Sequence, residues 1–415
     1  MNDPMAVDRP NDSAPPTGET FAYIDAVRGW AIILVMTTHV GGSFPELYWP
    51  LKKLTNFGWH GVQLFFIASA VTLCYSWNRS IEPYGRRALN FFIRRFLRIA
   101  PLYYFGVVFY MVVQPPGSGF SVAQLLRSVF FINAWHPDWI PTTPGWMVVP
   151  GGWSIGVEFT FYALFPLLIV FLSSTGRAVA MLILAIVVAI MANTFGLSFF
   201  QEYSGVYLNN FLYFWFFNQM PVFMIGFVVF CILRSMRNFR LSRRNSWVLL
   251  GLTVLLLVIA ALNPAASDRF VPDTIPQIFI ASSLLGVFVL LMAISTPTLF
   301  SHPIIQRIGV LSFSCYVMHF VFVHTVPAWS GGWIDTTVSG PRAVITAAVL
   351  WVLVVAMTVA TSTATNRWIE QPGMRLARHL TRRRGAVVAD PASGITQSGP
   401  PRSHELLAKA SKAPE

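Results

Sequence analysis

The chain has 415 residues, of which 55% are hydrophobic and only 11% charged, and its mean hydropathy is +0.58. A soluble domain carries roughly a quarter charged residues, so the composition excludes a soluble enzyme and indicates an all-α integral membrane protein. The net charge of +12 reads as membrane topology rather than nucleic-acid binding, because the basic residues gather in short segments between apolar runs.

Apolar runs long enough to span a bilayer occur at 22–41, 58–77, 99–114, 153–172, 178–197, 211–233, 246–262, 275–294, 309–327 and 343–365, which predicts about ten transmembrane helices. The first 20 residues are polar and Pro-rich with no apolar h-region, so no cleaved signal peptide is expected. The segments 78–98 and 234–244 and the tail after Arg367 are rich in arginine; all three fall on one side if both termini are cytoplasmic. The pair Lys52-Lys53 is the one dissent. The 114–152 connection is long and rich in Pro, Gly and Trp, the pattern expected of a packed cap facing substrate. Residues 379–415 are polar and small without periodicity and read as a disordered cytoplasmic tail, which leaves 21–378 as the transmembrane domain. Cys74, Cys231 and Cys315 all lie in apolar stretches, so neither a disulfide framework nor a metal site is expected.

Ionisable side chains inside these runs are costly and mark candidate sites. The first helix carries Arg28 and His39, eleven residues apart, hence about three turns and roughly 16 Å along one face. Arg28 suits an ion pair with Asp25 or an anion entering from the cytoplasm; His39 suits a packing histidine hydrogen-bonded inside the bundle, or a general base or acid. In the run Phe91-Phe92-Ile93-Arg94-Arg95-Phe96-Leu97-Arg98, Arg95 and Arg98 share a face, and Arg94 with Arg98 is the alternative pair. That is the plain pattern of a positive-inside anchor and also of a guanidinium fork for phosphate. Glu158, with Tyr162 four residues on, is a membrane carboxylate placed to orient a histidine or to join a helix-packing hydrogen bond. Ser312, Tyr316 and His319 fall on one helical face, as interhelical glue or with His319 as a catalytic group.

Together these clusters resemble the acyltransferase 3 family. The resemblance is carried, in order, by Arg28-Gly29 with His39, by Gly61-Val62-Gln63-Leu64-Phe65-Phe66, and by Arg94-Arg95-x-x-Arg98-Ile99-x-Pro101. It continues through Trp153-Ser154-x-x-Val157-Glu158-Phe159-x-Phe161-Tyr162, Ser312-x-Ser314-x-Tyr316-x-x-His319 and Ile369-Glu370-Gln371-Pro372, and covers about residues 20–375. Three positions depart from it: Gln63 stands where Asp is common, Ala70 where Gly often follows the serine, and Gly156 where Ser is frequent.

The resemblance implies a multipass O-acyltransferase of the bacterial inner membrane. Such an enzyme moves an acyl group, acetyl foremost, from cytoplasmic acyl-CoA to a hydroxyl of a periplasmic or lipid-linked carbohydrate; a macrolide-type small molecule is the alternative acceptor. It implicates Arg28 and His39, and the arginine pair, here Arg95 and Arg98, as holders of the CoA phosphates. His39 is then the expected base, oriented by Glu158, with His319 a further catalytic candidate. Acyl-CoA is the donor substrate and no cofactor is expected to be permanently bound; membrane lipid is a partner and nucleic acid is not. No SGNH-type hydrolase domain is expected, so transfer would finish within the membrane unit or with a separate partner. The rival class is a transporter or flippase for a glycan or small anionic substrate.

Overall fold

The computed structural model describes residues 22–114, 120–139, 148–203, 205–237, 239–263, 277–295 and 299–381. The expected polar N-terminal tail, the C-terminal tail beyond 381, and the parts of the expected cap at 115–119 and 140–147 lie outside the described residues. Residues Met1–Leu380 group as one compact unit, and every regular element described in it is helical. The helices are α1 Ala22–Gly42, α2 Trp49–Phe57, α3 Gly61–Asn78, α4 Tyr84–Val113, α5 Val122–Val129, α6 Gly152–Phe171, α7 Thr175–Phe199 and α8 Gly205–Phe214. They continue with α9 Phe216–Ser235, α10 Arg243–Leu262, α11 Gln277–Ile294, α12 Pro303–Val310, α13 Ser312–Trp329, α14 Gly340–Thr365 and α15 Gln371–Thr381.

Each apolar run of the sequence falls on a helix, but among the described residues length and composition qualify seven helices as spans, or eight if the bent pair α12–α13 is counted as one. α11 is short, and Asp25, Arg28 and His39 dilute the hydropathy of α1. The packing assigns these helices different places. Large apolar side chains of α7, α10 and α14, among them Ile183, Met191, Leu255 and Val352, are exposed; that surface suits lipid and not water. α1 is instead enclosed, with Ala26, Val27, Ala31, Ile32 and Met36 fully buried.

Glycines let neighbouring backbones close on α1, as small residues do between membrane helices. A Cβ on Gly29 would strike the Ile305 carbonyl of α12, and one on Gly309 would strike the Asp25 carbonyl of α1. Trp30 Nε1 donates to the Phe300 carbonyl at 2.9 Å and pins the same end. At the other end the Lys52 ammonium donates to the carbonyls of Gly41 (2.9 Å) and Phe44 (2.7 Å), satisfying acceptors that the helix terminus leaves open. One of the two lysines that dissent from the loop-charge pattern, Lys52, is therefore a helix cap.

Two stretches differ from the sequence expectation. The basic segment 78–98 is not a loop over most of its length, because α4 begins at Tyr84 and runs for 30 residues. Glu82 ties its start: its carboxylate accepts from Asn90 Nδ2 at 2.8 and 2.9 Å, and its carbonyl from Arg87 Nη2 at 2.8 Å. Charge hides such a helix from a hydropathy window, while Arg, Leu and Ala are good helix formers. Pro101 inside α4 cannot donate to the Leu97 carbonyl, and α15 covers that carbonyl through Gly373, where a Cβ would overlap it. The second difference is that the run 309–327 is broken at Leu311, where α12 and α13 meet with an 83° bend. The bend exposes the start of α13 to the site.

Candidate active site

Five helices build one half-open cavity, and they bring together most of the residues singled out in the sequence. Its walls include Arg28 from α1, Phe65 and Ser69 from α3, Arg95 and Arg98 from α4, Ser154 and Glu158 from α6, and Ser312 and Tyr316 from α13. α4 and α6 lie antiparallel, since Tyr84 at the start of α4 donates to the Pro166 carbonyl near the end of α6 at 2.9 Å. Eleven residues along one helix and eight back along the other then bring Arg95 level with Glu158. The arginine pair therefore lies within the bundle and not on a surface loop.

Three guanidinium groups face one carboxylate in this cavity. None of the three is in an ion pair with a carboxylate among the described residues. Arg95 lies over the Phe91 ring, 5.8 Å from its centroid, and its buried Nε has no hydrogen-bond partner there. Glu158 is held by other groups: Oε1 accepts from Ser69 Oγ at 2.7 Å and from the Tyr162 hydroxyl. A cavity with surplus fixed positive charge and uncommitted guanidinium donors is suited to a phosphate-bearing ligand.

The histidines form a second cluster. The rings of His39 and His319 are 5.2 Å apart between centroids, and Trp59 (5.2 Å) and Phe320 (4.3 Å) also pack on His39. His319 is fully buried. Its Nδ1 lies 3.1 Å from the Cys315 carbonyl, which can only accept, so Nδ1 donates there. Its Nε2 has no partner among the described residues. The expected neighbour of His39 was Glu158; the structure sets His319 against His39 and Glu158 among the arginines. The Glu158 carboxyl is tethered by Tyr162 one helical turn away and by Ser69, a serine in α3 that sequence reasoning left without a role.

Between the clusters lies a pair of hydroxyls. Tyr316 OH bonds Ser154 Oγ at 2.8 Å and the Gly151 carbonyl at 3.0 Å, and its ring lies 5.8 Å from that of His319. The departure at Gly156 also has a local cause: a Cβ there would strike the Asn133 amide oxygen, which occupies the space a serine side chain would need. Gln63, the other polar departure, turns away to Tyr213 (3.2 Å) and Gln219 (3.1 Å).

Comparisons with known proteins give the family. The acyltransferase 3 family profile, an acyltransferase domain, matches residues 21–367. The chain is 24% identical over 408 residues to acyltransferase MdmB of Streptomyces mycarofaciens, covering 91% of this chain and 97% of that protein. It is 25% identical over 357 residues to nodulation protein 10 of Rhizobium leguminosarum bv. viciae, covering 79% of this chain and 85% of that protein. No solved structure matches the chain. With the profile spanning nearly all of the helical unit, this chain belongs to the acyltransferase 3 family, as a membrane acyltransferase.

Proposed function

We propose that the protein transfers an acyl group, acetyl foremost, from cytoplasmic acyl-CoA to a hydroxyl of a periplasmic or lipid-linked carbohydrate, in the inner membrane of a bacterium. Ten crossings with both termini cytoplasmic would accompany this: the seven qualifying helices, the bent pair α12–α13, and α1 and α11. The observation that carries the reading is the joint lining of one cavity by Arg28, Arg95 and Arg98 together with Tyr316, whose helix sets His319 against His39 one turn on.

Arg28, Arg95 and Arg98 bind the phosphates of the donor in this reading, and Glu158 keeps the arginines spaced while limiting their mutual repulsion. The thioester lies toward the histidines, over a span of roughly 16 Å between Arg28 and His39. His39 takes the proton of the acceptor hydroxyl as that oxygen attacks the thioester carbonyl. His319, whose ring packs on that of His39, favours the ring orientation that keeps a basic nitrogen of His39 toward the acceptor.

The test is deletion of the protein in its host and restoration as wild type or as His39→Ala, with O-acyl groups on surface polysaccharide measured by mass spectrometry. Loss on deletion and rescue by wild type alone are expected. Rescue by His39→Ala would remove the role given to His39, and an unchanged glycan would remove the carbohydrate acceptor.

A further inference from the structure

We propose that Tyr316 is the hydrogen-bond donor that stabilises the carbonyl oxygen of the acyl thioester during transfer, an inference that rests on the acyltransferase reading above. The hydroxyl lines the cavity shared with the arginines, and its ring adjoins that of His319. It therefore stands between the place assigned to the donor's phosphates and the place assigned to the base, where the reacting carbonyl has to lie.

The hydrogen-bond count makes this hydroxyl available at little cost. Tyr316 OH, Ser154 Oγ and the Gly151 carbonyl form a closed triangle with edges of 2.8, 3.0 and 3.1 Å. Three edges are served by only two protons, one on each hydroxyl. In one arrangement Tyr316 donates to Gly151 and Ser154 donates to Tyr316; in the other Ser154 donates to Gly151, and the Tyr316 proton is released for a ligand. Switching keeps the Gly151 carbonyl served, so the strongest buried acceptor of the three escapes the usual penalty for redirecting a buried donor. Gly151 makes the triangle possible, because it adopts φ of 75° and a Cβ there would come within 2.9 Å of Tyr316 OH. The backbone turn that starts α6 is thus shaped around this hydroxyl.

The step is as follows. The acceptor oxygen bonds to the thioester carbon while its proton passes to His39, and the carbonyl electron pair moves onto oxygen. Tyr316 donates to that oxygen as its charge develops, and Ser154 takes over the Gly151 carbonyl. Collapse re-forms the carbonyl and breaks the carbon–sulfur bond; the proton held by His39 goes to sulfur. The products are the ester and the CoA thiol, and Tyr316 returns to Gly151 with its own proton.

Membrane vesicles carrying the full-length chain are given radiolabelled acetyl-CoA, and label in the host's polysaccharide fraction is followed as donor concentration varies. Tyr316→Phe is expected to lower kcat about 100-fold, the loss typical of one oxyanion donor, with KM for acetyl-CoA changed less than about twofold. Ser154→Ala leaves Gly151 dependent on the Tyr316 proton, so it should lower kcat in the same sense. The double variant should be no worse than Tyr316→Phe alone. Near-normal kcat in Tyr316→Phe, losses that multiply in the double variant, or a loss confined to KM would overturn the proposal. Should Tyr316→Phe fail to fold, judged by its thermal unfolding, Ser154→Ala decides by the same split between kcat and KM. Absence of transfer by the wild type would overturn the acyltransferase reading, and the proposal with it; transfer by wild type that ignores Tyr316 would overturn the proposal alone.

Discussion

Replacing Arg95 by glutamine should weaken donor binding without weakening the fold. Its guanidinium lies in a cavity that already holds Arg28 and Arg98, and its Nε makes no hydrogen bond among the described residues. An anionic ligand in the cavity would supply that hydrogen bond. A hydrogen bond to a charged group contributes about 1.5–3 kcal/mol, so at 1.4 kcal/mol per decade KM for acetyl-CoA should rise about 10- to 150-fold. The same substitution removes one of three like charges that face a single carboxylate, Glu158. Mutual repulsion falls, and the thermal midpoint of the unliganded protein in detergent should stay level or rise. Arg95→Lys keeps the charge but loses the planar fork and should fall between wild type and Arg95→Gln. Steady-state transfer assays and thermal unfolding on the same preparations give both quantities. An unchanged KM, or a KM increase matched by a fall in the midpoint, would refute the reasoning, the first by removing the phosphate contact and the second by making Arg95 structural.

Gly29→Ala should destabilise the protein by about 1–3 kcal/mol, the cost of overpacking, because the added methyl meets the backbone carbonyl of Ile305, which cannot swing aside as a side chain would. Thermal unfolding checks this, and Gly42→Ala, on the same helix with open space around it, should leave the midpoint nearly unchanged. Glu370 is 1% exposed and accepts from Ser314 at 3.0 Å and Asn366 at 2.9 Å. Glu370→Ala strands both donors and should cost about 1–3 kcal/mol, measured by the same unfolding. Glu370→Gln keeps an acceptor oxygen in place and should recover most of that loss.

The residues of the site were legible in the sequence because a bilayer makes polar side chains conspicuous: Arg28, His39, Glu158 and His319 interrupt apolar runs. Their partnerships were not. Depth along each helix placed Glu158 beside His39, but rotation about the helix axis decides contacts, and Glu158 turns to Ser69 and Tyr162. The extent of α4 was hidden for a related reason. A hydropathy window treats Arg94, Arg95 and Arg98 as the end of a membrane segment, whereas Arg95 and Arg98 have a cavity to face. The break at Leu311 carries no glycine or proline at the bend itself. It arises where α12 closes on α1 through Gly29 and Gly309, a contact between segments nearly 280 residues apart that no local pattern records.

The features that weaken α1 as a membrane span are the ones that fit it to the centre of the bundle. Asp25, Arg28 and His39 would each be costly against lipid, yet α1 is surrounded by protein. α12 lies against it at Gly29, α2 and α3 at Gly41, Gly58 and Gly61, and α14 reaches it through Trp351 Nε1, which donates to Thr37 at 3.0 Å. The lipid-facing role passes to α7, α10 and α14, whose spans carry no such groups in their apolar stretches. The division has a mechanical consequence. Arg28 and His39 ride on one helix that is fixed at one end by the Gly29–Gly309 crossing and at the other by Lys52, so their separation is set by the rigid rise of the helix. On the proposed reading, a donor anchored at Arg28 would meet His39 at a distance that side-chain motion cannot close, and a ligand with an extended arm between its anionic groups and its reactive carbonyl would satisfy both ends.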